Sequence, residues 1–395
     1  MHTSDGGGAT TRTALFSVGP ILALAVVIAL FVWTRGAGLN VTPAVPIETV
    51  QFGRTILRPG EIELHFRNTS PQSLAIAQVS INEATWPYSV SPGRTIPRLG
   101  SAVLTLPYHW VQSEAYAITI FTSNSVPLST SIPVATVTPS ASRGTLWKFT
   151  LIGVYVGIIP IILGMFWLPA LRRVGSRAML FLMAATVGLL IYLGVDATSE
   201  ALDIGRRLQD TFQGAGLVAI GIAGTWLLLQ AVSARQQSVG RDAAGQRMSL
   251  ATVIAVGIGL HNLGEGLAIG AAYAVGAARL GTFLVVGFIL QNITEGLGVI
   301  VPIAKDRPSL RSLALLALVS GGPAILGAWI GGLVYSQSLS VLFLAIGAGA
   351  VFQVAYEIGR RLVWGTKAAG DMPWTVFAGV IAGMLVLYAT GVAIK

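Results

Sequence analysis

Cysteine is absent from this chain, and acidic residues are scarce, with 16 Asp and Glu in 395 residues. The first absence excludes disulfide frameworks, thiolate metal sites, haem attachment and cysteine nucleophiles, while leaving the compartment open. The second, with only 25 Lys and Arg, leaves 10% of the chain charged, where soluble domains carry roughly a quarter. A pI near 10.2 therefore reflects missing acids rather than abundant bases. What the chain has in quantity is apolar: 53% hydrophobic residues, 47 glycines and a mean hydropathy of +0.73. This composition excludes a soluble enzyme, a disordered regulator and a nucleic-acid binder of the usual kind, and points to a polytopic α-helical membrane protein.

Hydropathy divides the chain further. Residues 1–13 are polar and Gly/Thr-rich and read as a disordered cytoplasmic tail. Residues 14–33 form an apolar run of about twenty residues, enough to cross a ~30 Å hydrocarbon core. No small-residue cleavage site follows Trp33, so the run reads as a retained anchor helix rather than a signal peptide. Residues 40–126 change character. Ile62–Phe66, Ala102–Leu106 and Ala117–Phe121 alternate with period two, and Pro59-Gly60, Asn68-Thr69-Ser70 and Ser91-Pro92-Gly93 punctuate them. A small all-β sandwich is expected there. Without cysteine it carries no blue-copper site, so His65 and His109 read as surface or satisfied residues. Asn68 opens a formal glycosylation sequon, and the Ser/Thr/Pro-rich stretch 127–145 reads as a linker.

Residues 146–395 read as a bundle of eight spans: Phe149–Leu168, Ala178–Ala197, Phe212–Val232, Leu250–Ala271, Thr282–Ile303, Ser312–Val334, Leu339–Ile358 and Thr375–Ile394. The basic residues test this count. With the N-terminus cytoplasmic, the inner segments hold thirteen: Arg12, Arg172, Arg173, Arg177, Arg235, Arg241, Arg247, Lys305, Arg307, Arg311, Arg360, Arg361 and Lys367. The short outer segments hold four: Arg206, Arg207, Arg279 and Lys395. This bias alternates at every loop as the positive-inside rule requires. The expected location is the plasma membrane, with the β-domain and C-terminus outside.

Ionisable groups inside a bilayer are costly, so each is a functional candidate. The fourth span contains His261-Asn262-Leu263-Gly264-Glu265-Gly266, and the fifth Gln291-Asn292-Ile293-Thr294-Glu295-Gly296. These are two copies of one pattern, 30 residues apart. Positions i, i+1 and i+4 share a polar stripe on a helix, and one span plus a turn sets the two stripes on antiparallel neighbours. One imidazole, two carboxylates and three amides suit a divalent transition-metal cation better than calcium or magnesium, which take all-oxygen ligands.

The paired motif resembles the signature of the ZIP (Zrt/Irt-like) divalent-metal transporters, close to the prokaryotic branch, with His-Asn-x-Pro-Glu-Gly followed by Gln-x-x-Pro-Glu-Gly. The likeness covers residues 146–395, with eight spans and both bundle termini outside, and leaves out the anchor helix and β-domain. It implies that His261, Glu265, Gln291 and Glu295 hold the transported ion, and that Asn262 and Asn292 line an adjoining position. Asn292 stands where many members have Asp, and Gly322-Pro323 where the sixth span often supplies Glu, so one ion is expected rather than two. Gly264 and Thr294 replace the motif prolines. In the second span, where the family often offers Met or His, the register places Gly188.

Other carboxylates extend a path. Asp196, Glu200 and Asp203 sit toward the outer end of the second span, and Gln353 and Glu357 toward the inner end of the seventh. The resemblance implies an exit role for Glu357; an ion pair with Arg360 or Arg361 is the plainer alternative, and Arg206 and Arg207 offer Glu200 and Asp203 the same. The sequence thus reads as a non-enzyme that imports zinc first of all, or iron, manganese or cadmium, by alternating access. An inverted repeat places the site at its interface, and the resemblance suggests an elevator-like displacement. The metal is substrate, and no cofactor is expected. The expected partners are this metal ion and the lipid bilayer, with a homodimer possible in assembly and nucleic acid excluded. The rivals are an intramembrane metalloenzyme with Glu265 as base, for which no His-Glu-x-x-His pair exists, and a receptor sensing through the β-domain.

Overall fold

The computed structural model describes residues 22–34, 47–132, 134–138, 140–206, 208, 213–237, 242–274, 278–334, 336–369 and 374–394. The expected tail 1–13 and residues 14–21 of the expected anchor lie outside them. The described residues fall into two units, one within residues 1–47 and the other within residues 48–395. In the first, Leu22–Trp33 is an apolar helix with exposed side chains. Over its described residues it is too short to cross ~30 Å by itself.

Among the described residues the second unit begins with nine strands: β1 (Val50–Arg58), β2 (Glu61–Asn68), β3 (Leu74–Ile81), β4 (Ala84–Thr85), β5 (Ser89–Ser91), β6 (Thr95–Ile96), β7 (Ser101–Leu106), β8 (Tyr116–Thr122) and β9 (Pro127–Ile132). They form two antiparallel sheets, one in the order β1-β2-β7-β5 and the other β4-β3-β8-β9, with β6 pairing β3. The three alternating runs all lie in strands. In β2, Ile62, Leu64 and Phe66 point inward, and they share one core with Leu104, Ile76, Val79, Ile118 and Ile120 from both sheets. Each such side chain, once buried, contributes about 1.5–3 kcal/mol. Gly60, with φ +78°, turns β1 into β2, a conformation that L side chains rarely adopt.

Two expectations in this domain change. The expected linker 127–145 opens with a strand, because Pro127–Ile132 pairs with β8 along its whole length. Asn68 is buried, and its amide donates to the carbonyls of Gln72 (2.9 Å) and Ile96 (2.9 Å), so that nitrogen is committed inside the fold rather than offered to a sugar. His65 shares a 2.9 Å hydrogen bond with Glu63, and His109 is exposed, the satisfied and surface positions expected for them.

Among the described residues, eight helices are long and apolar enough to cross a membrane: Arg143–Leu171, Ser176–Gly205, Gly214–Ala234, Ala243–Ala274, Leu284–Ile303, Leu310–Leu333, Gln337–Val363 and Trp374–Val392. They coincide with the eight expected spans and are numbered first to eighth. The first packs on the fifth and sixth, and the fourth on the sixth. The second packs on the seventh and eighth, the third on the seventh, and the fourth also meets the seventh.

Lipid supplies no hydrophobic drive between spans, so close backbone approach does the work. A Cβ on Gly266 would collide with the Ala324 carbonyl, and one on Gly327 with that of Leu263, which ties fourth and sixth spans reciprocally. Gly188, expected near the motif, instead packs against the Val380 backbone of the eighth span. A helix period gives a face but not the neighbour that covers it.

The β-domain meets the bundle at one end. Arg54 donates to the Leu333 carbonyl, which closes the sixth span, and Gln51 Nε2 lies 3.5 Å from Ser338 Oγ at the start of the seventh. At the opposite end Arg247 grips Asp306 with two bonds, Nε–Oδ2 at 2.8 Å and Nη2–Oδ1 at 2.5 Å. That hydrogen bonding holds the Asp306 carboxyl below the usual aspartate range. A depressed carboxylate stabilises above its unfolded value of about 3.9 and loses the contribution as pH falls through its folded value. Asp306→Asn should therefore cost about 0.5–1 kcal/mol at neutral pH, given the pair's partial exposure. In thermal unfolding, the gap from the wild type should close below about pH 4.

Candidate metal centre

Two irregular helices shape the site before any charged group enters it. In the first span the hydrogen bonds widen over Val154–Ile158, where the Ile159 N–H reaches back to the Val154 carbonyl. Pro160 follows and has no N–H to offer the carbonyl of Val156, four residues earlier. In the sixth span the helix breaks at Gly322-Pro323, between Leu310–Gly321 and Pro323–Leu333. A bilayer requires that loosened carbonyls find partners inside the protein. The two motif asparagines supply them: Asn292 Nδ2 donates to Val156 O at 2.9 Å, and Asn262 Nδ2 to Ser320 O at 3.0 Å.

The charged members of the motif converge between these anchors. His261, Glu265 and Glu295 each offer a ligand atom within 4.8 Å of the others. Their residues are 7%, 4% and 3% exposed, so bulk water does not screen them. His261 Nε2 lies 3.4 Å from Glu265 Oε1. Gln291 Nε2 stands among them, 3.3 Å from His261 Nε2 and 3.4 Å from Glu295 Oε1, and it also donates to Glu265 Oε1. Asn292 Nδ2 makes a second bond to Glu265 Oε2 at 3.2 Å. The structure thus brings together all six residues that the motif nominated.

Acceptors outnumber donors here. Asn262 Oδ1, Asn292 Oδ1 and Glu295 Oε2 are buried with no hydrogen-bond partner. Each asparagine is fixed through its nitrogen to a backbone carbonyl, which leaves its oxygen as the free end. Buried acceptors left unsatisfied cost about 1–3 kcal/mol apiece, more when charged. A cation removes that cost for several at once. The nitrogen-and-oxygen set, with an imidazole and no thiolate, suits zinc, iron, manganese or cobalt. A side-chain amide turned by 180° exchanges its ends, so Gln291 can offer Oε1 to such an ion in place of Nε2.

The remaining candidates lie away from this cluster. Asp196 and Glu200 are exposed on the second span, with Glu200 within electrostatic reach of His261 and Glu265. Asp203 pairs with Arg206 at 2.9 Å. Glu357 is buried and held by Arg360 (3.0 Å) and Arg361 (2.8 Å), the plainer of its two readings. Gln353 Nε2 approaches Gln230 Oε1 (3.3 Å) and Ser233 Oγ (3.4 Å), while its Oε1 is buried without a partner. Arg12, Arg207, Arg241 and Lys395 of the charge count lie outside the described residues. The carbonyls of Val156 and Ser320 went unread in the sequence. For Val156 the available signal was Pro160, four residues on; Pro323 withholds its hydrogen bond from Val319 O, one residue before Ser320.

Residues 227–356 match the family model described as ZIP zinc transporter. The matched stretch contains both motif copies and the Gly322-Pro323 break. A search of curated proteins finds no match.

Proposed function

From a chain whose residues 227–356 match the model of the ZIP zinc-transporter family, we propose a protein that imports one zinc ion at a time through the His261, Glu265 and Glu295 centre. The observation that carries this reading is the trio of buried, unpartnered acceptor oxygens beside that centre. Glu265 and Glu295 neutralise the ion, His261 favours a borderline metal over calcium or magnesium, and the amide oxygens complete its coordination. Amides are weak ligands, which favours release as well as capture. Asn292 in place of a carboxylate supports a single ion, because its N–H group already satisfies Glu265 Oε2.

Alternating access gives the two packing groups a role. The fourth and fifth spans, with the first and sixth, surround the ion, and the seventh lies along the fourth where Gly347 faces His261 Cα. Sliding of one group past the other along this seam would expose the centre to each side in turn. Asp196 and Glu200 would gather cations on the β-domain side, while Gln353 would line the release side beside the Glu357 ion pair. The β-domain contacts the ends of spans whose loops are poor in Lys and Arg, which supports an extracytoplasmic location for that domain, in keeping with a plasma-membrane protein.

Reconstitution tests this reading: vesicles should take up zinc with one ion bound per chain at saturation. Protons compete for all three ligands, since metal binding needs a neutral imidazole and ionised carboxylates. Uptake should therefore fall as the outer pH is lowered from 7.5 to 5.5 at fixed zinc. A pH-independent rate over that range would remove the three ligands from the mechanism.

A further inference from the structure

The β-domain end of the first span borders a cavity of about 720 Å³ whose lining includes none of the six metal-centre residues. Its lining includes Ser140 after the last strand, Lys148, Phe149, Ile152 and Tyr155 on the first span, and Tyr273 on the fourth. The volume falls in the range of small-ligand sites. Its depth follows from helix geometry. Lys148 precedes Val156, which meets Asn292 at the metal centre, by eight residues, or about 12 Å of helix rise. A centre at mid-membrane is about 15 Å from the hydrocarbon edge, so the Lys148 ammonium reaches the headgroup level.

Aromatic residues mark the same level. Trp147 is exposed, and Trp329 Nε1 donates to Leu146 O (3.2 Å) and Thr150 Oγ1 (3.1 Å), as in an interfacial belt. Lys148 itself is exposed, and no ion pair holds it among the described residues. The cavity therefore has a lone cation at headgroup depth, hydroxyls beside it, and Phe149 and Ile152 as apolar wall below.

We propose that this cavity binds one anionic phospholipid from the leaflet on the β-domain side. Its phosphate sits at Lys148, and an acyl chain runs along Phe149 and Ile152 toward Tyr155. Tyr155 adjoins Val156, so the lipid braces the helix segment whose carbonyl fixes Asn292. The inference needs the membrane bundle but not the identity of the cargo.

Native mass spectrometry of the purified full chain, titrated with phosphatidylglycerol, tests it. The wild type should retain one lipid. Lys148→Glu should weaken retention by about five- to tenfold, the effect of one basic residue near anionic lipid. Ile152→Trp, which fills the cavity, should abolish it, while zinc binding by both variants stays unchanged and reports intact folding. Equal lipid retention by all three proteins would overturn the proposal. So would inorganic phosphate displacing the lipid at equal concentration, since the cavity would then hold an anion and no chain.

Discussion

Glu295→Ala is expected to lower zinc affinity by at least about a hundredfold, the upper range for groups that merely orient metal ligands. Glu295 is itself a ligand candidate, 3% exposed, with one oxygen unpartnered and the other only 3.4 Å from the Gln291 amide. Its removal leaves Glu265 as the sole carboxylate of the cluster. The ion's second charge then goes uncompensated at a depth where water cannot screen it. The substitution should not unfold the bundle, because it removes a buried charge rather than a packing contact, and isolated buried charges are themselves costly. Equilibrium zinc binding to the purified variant, with its thermal midpoint measured in parallel, separates the two effects. Wild-type affinity in a folded variant would remove Glu295 from the site.

Gly327→Leu should have the opposite signature, with assembly lost before any binding question arises. A Cβ there meets the Leu263 carbonyl, a backbone atom with no rotamer to yield. Overpacking against side chains costs about 1–3 kcal/mol; here the fourth and sixth spans must separate, and the cost exceeds that range. Separation also draws Asn262 from Ser320 O, so the metal centre loses one of its two backbone anchors. Gly224→Leu is the matched control, because a Cβ there meets open space. Size-exclusion profiles in detergent should show a monodisperse Gly224→Leu protein and aggregated or absent Gly327→Leu. Two equally monodisperse variants would mean that the fourth–sixth contact is looser than the structure has it.

Much of the architecture was legible in the sequence, because a bilayer imposes coarse rules. Spans of sufficient length, with basic residues on alternate loops, are visible in hydropathy alone. The side-chain cluster was legible for a related reason: His261, Glu265 and Glu295 are conspicuous within apolar runs, and a 30-residue offset sets them on neighbouring antiparallel helices. The asparagines' backbone partners were not legible, since a carbonyl leaves no mark on residue identity. Only Pro160 marked such a carbonyl directly, that of Val156, while Pro323 marked the neighbour of Ser320. The edge strand Pro127–Ile132 was hidden by composition. Most of its side chains are exposed or half-buried, so Ser and Thr alternate there as they would in a linker. For Glu357 the i+3 and i+4 arginines were plain in the sequence, and the structure shows them engaged.

The rival readings differ from transport in what they require of the same residues. A metalloenzyme needs a resident metal and a substrate cleft at Glu265, and a receptor needs its ligand on the β-domain; neither needs an ion to leave on the far side. Zinc accumulation in sealed proteoliposomes tests that difference most directly. With wild-type protein, zinc should enter the lumen well above the rate of protein-free vesicles, and with Glu295→Ala it should enter at the protein-free rate. Wild-type vesicles that bind zinc without accumulating it, or a Glu295→Ala variant that accumulates it at the wild-type rate, would contradict transport through this centre.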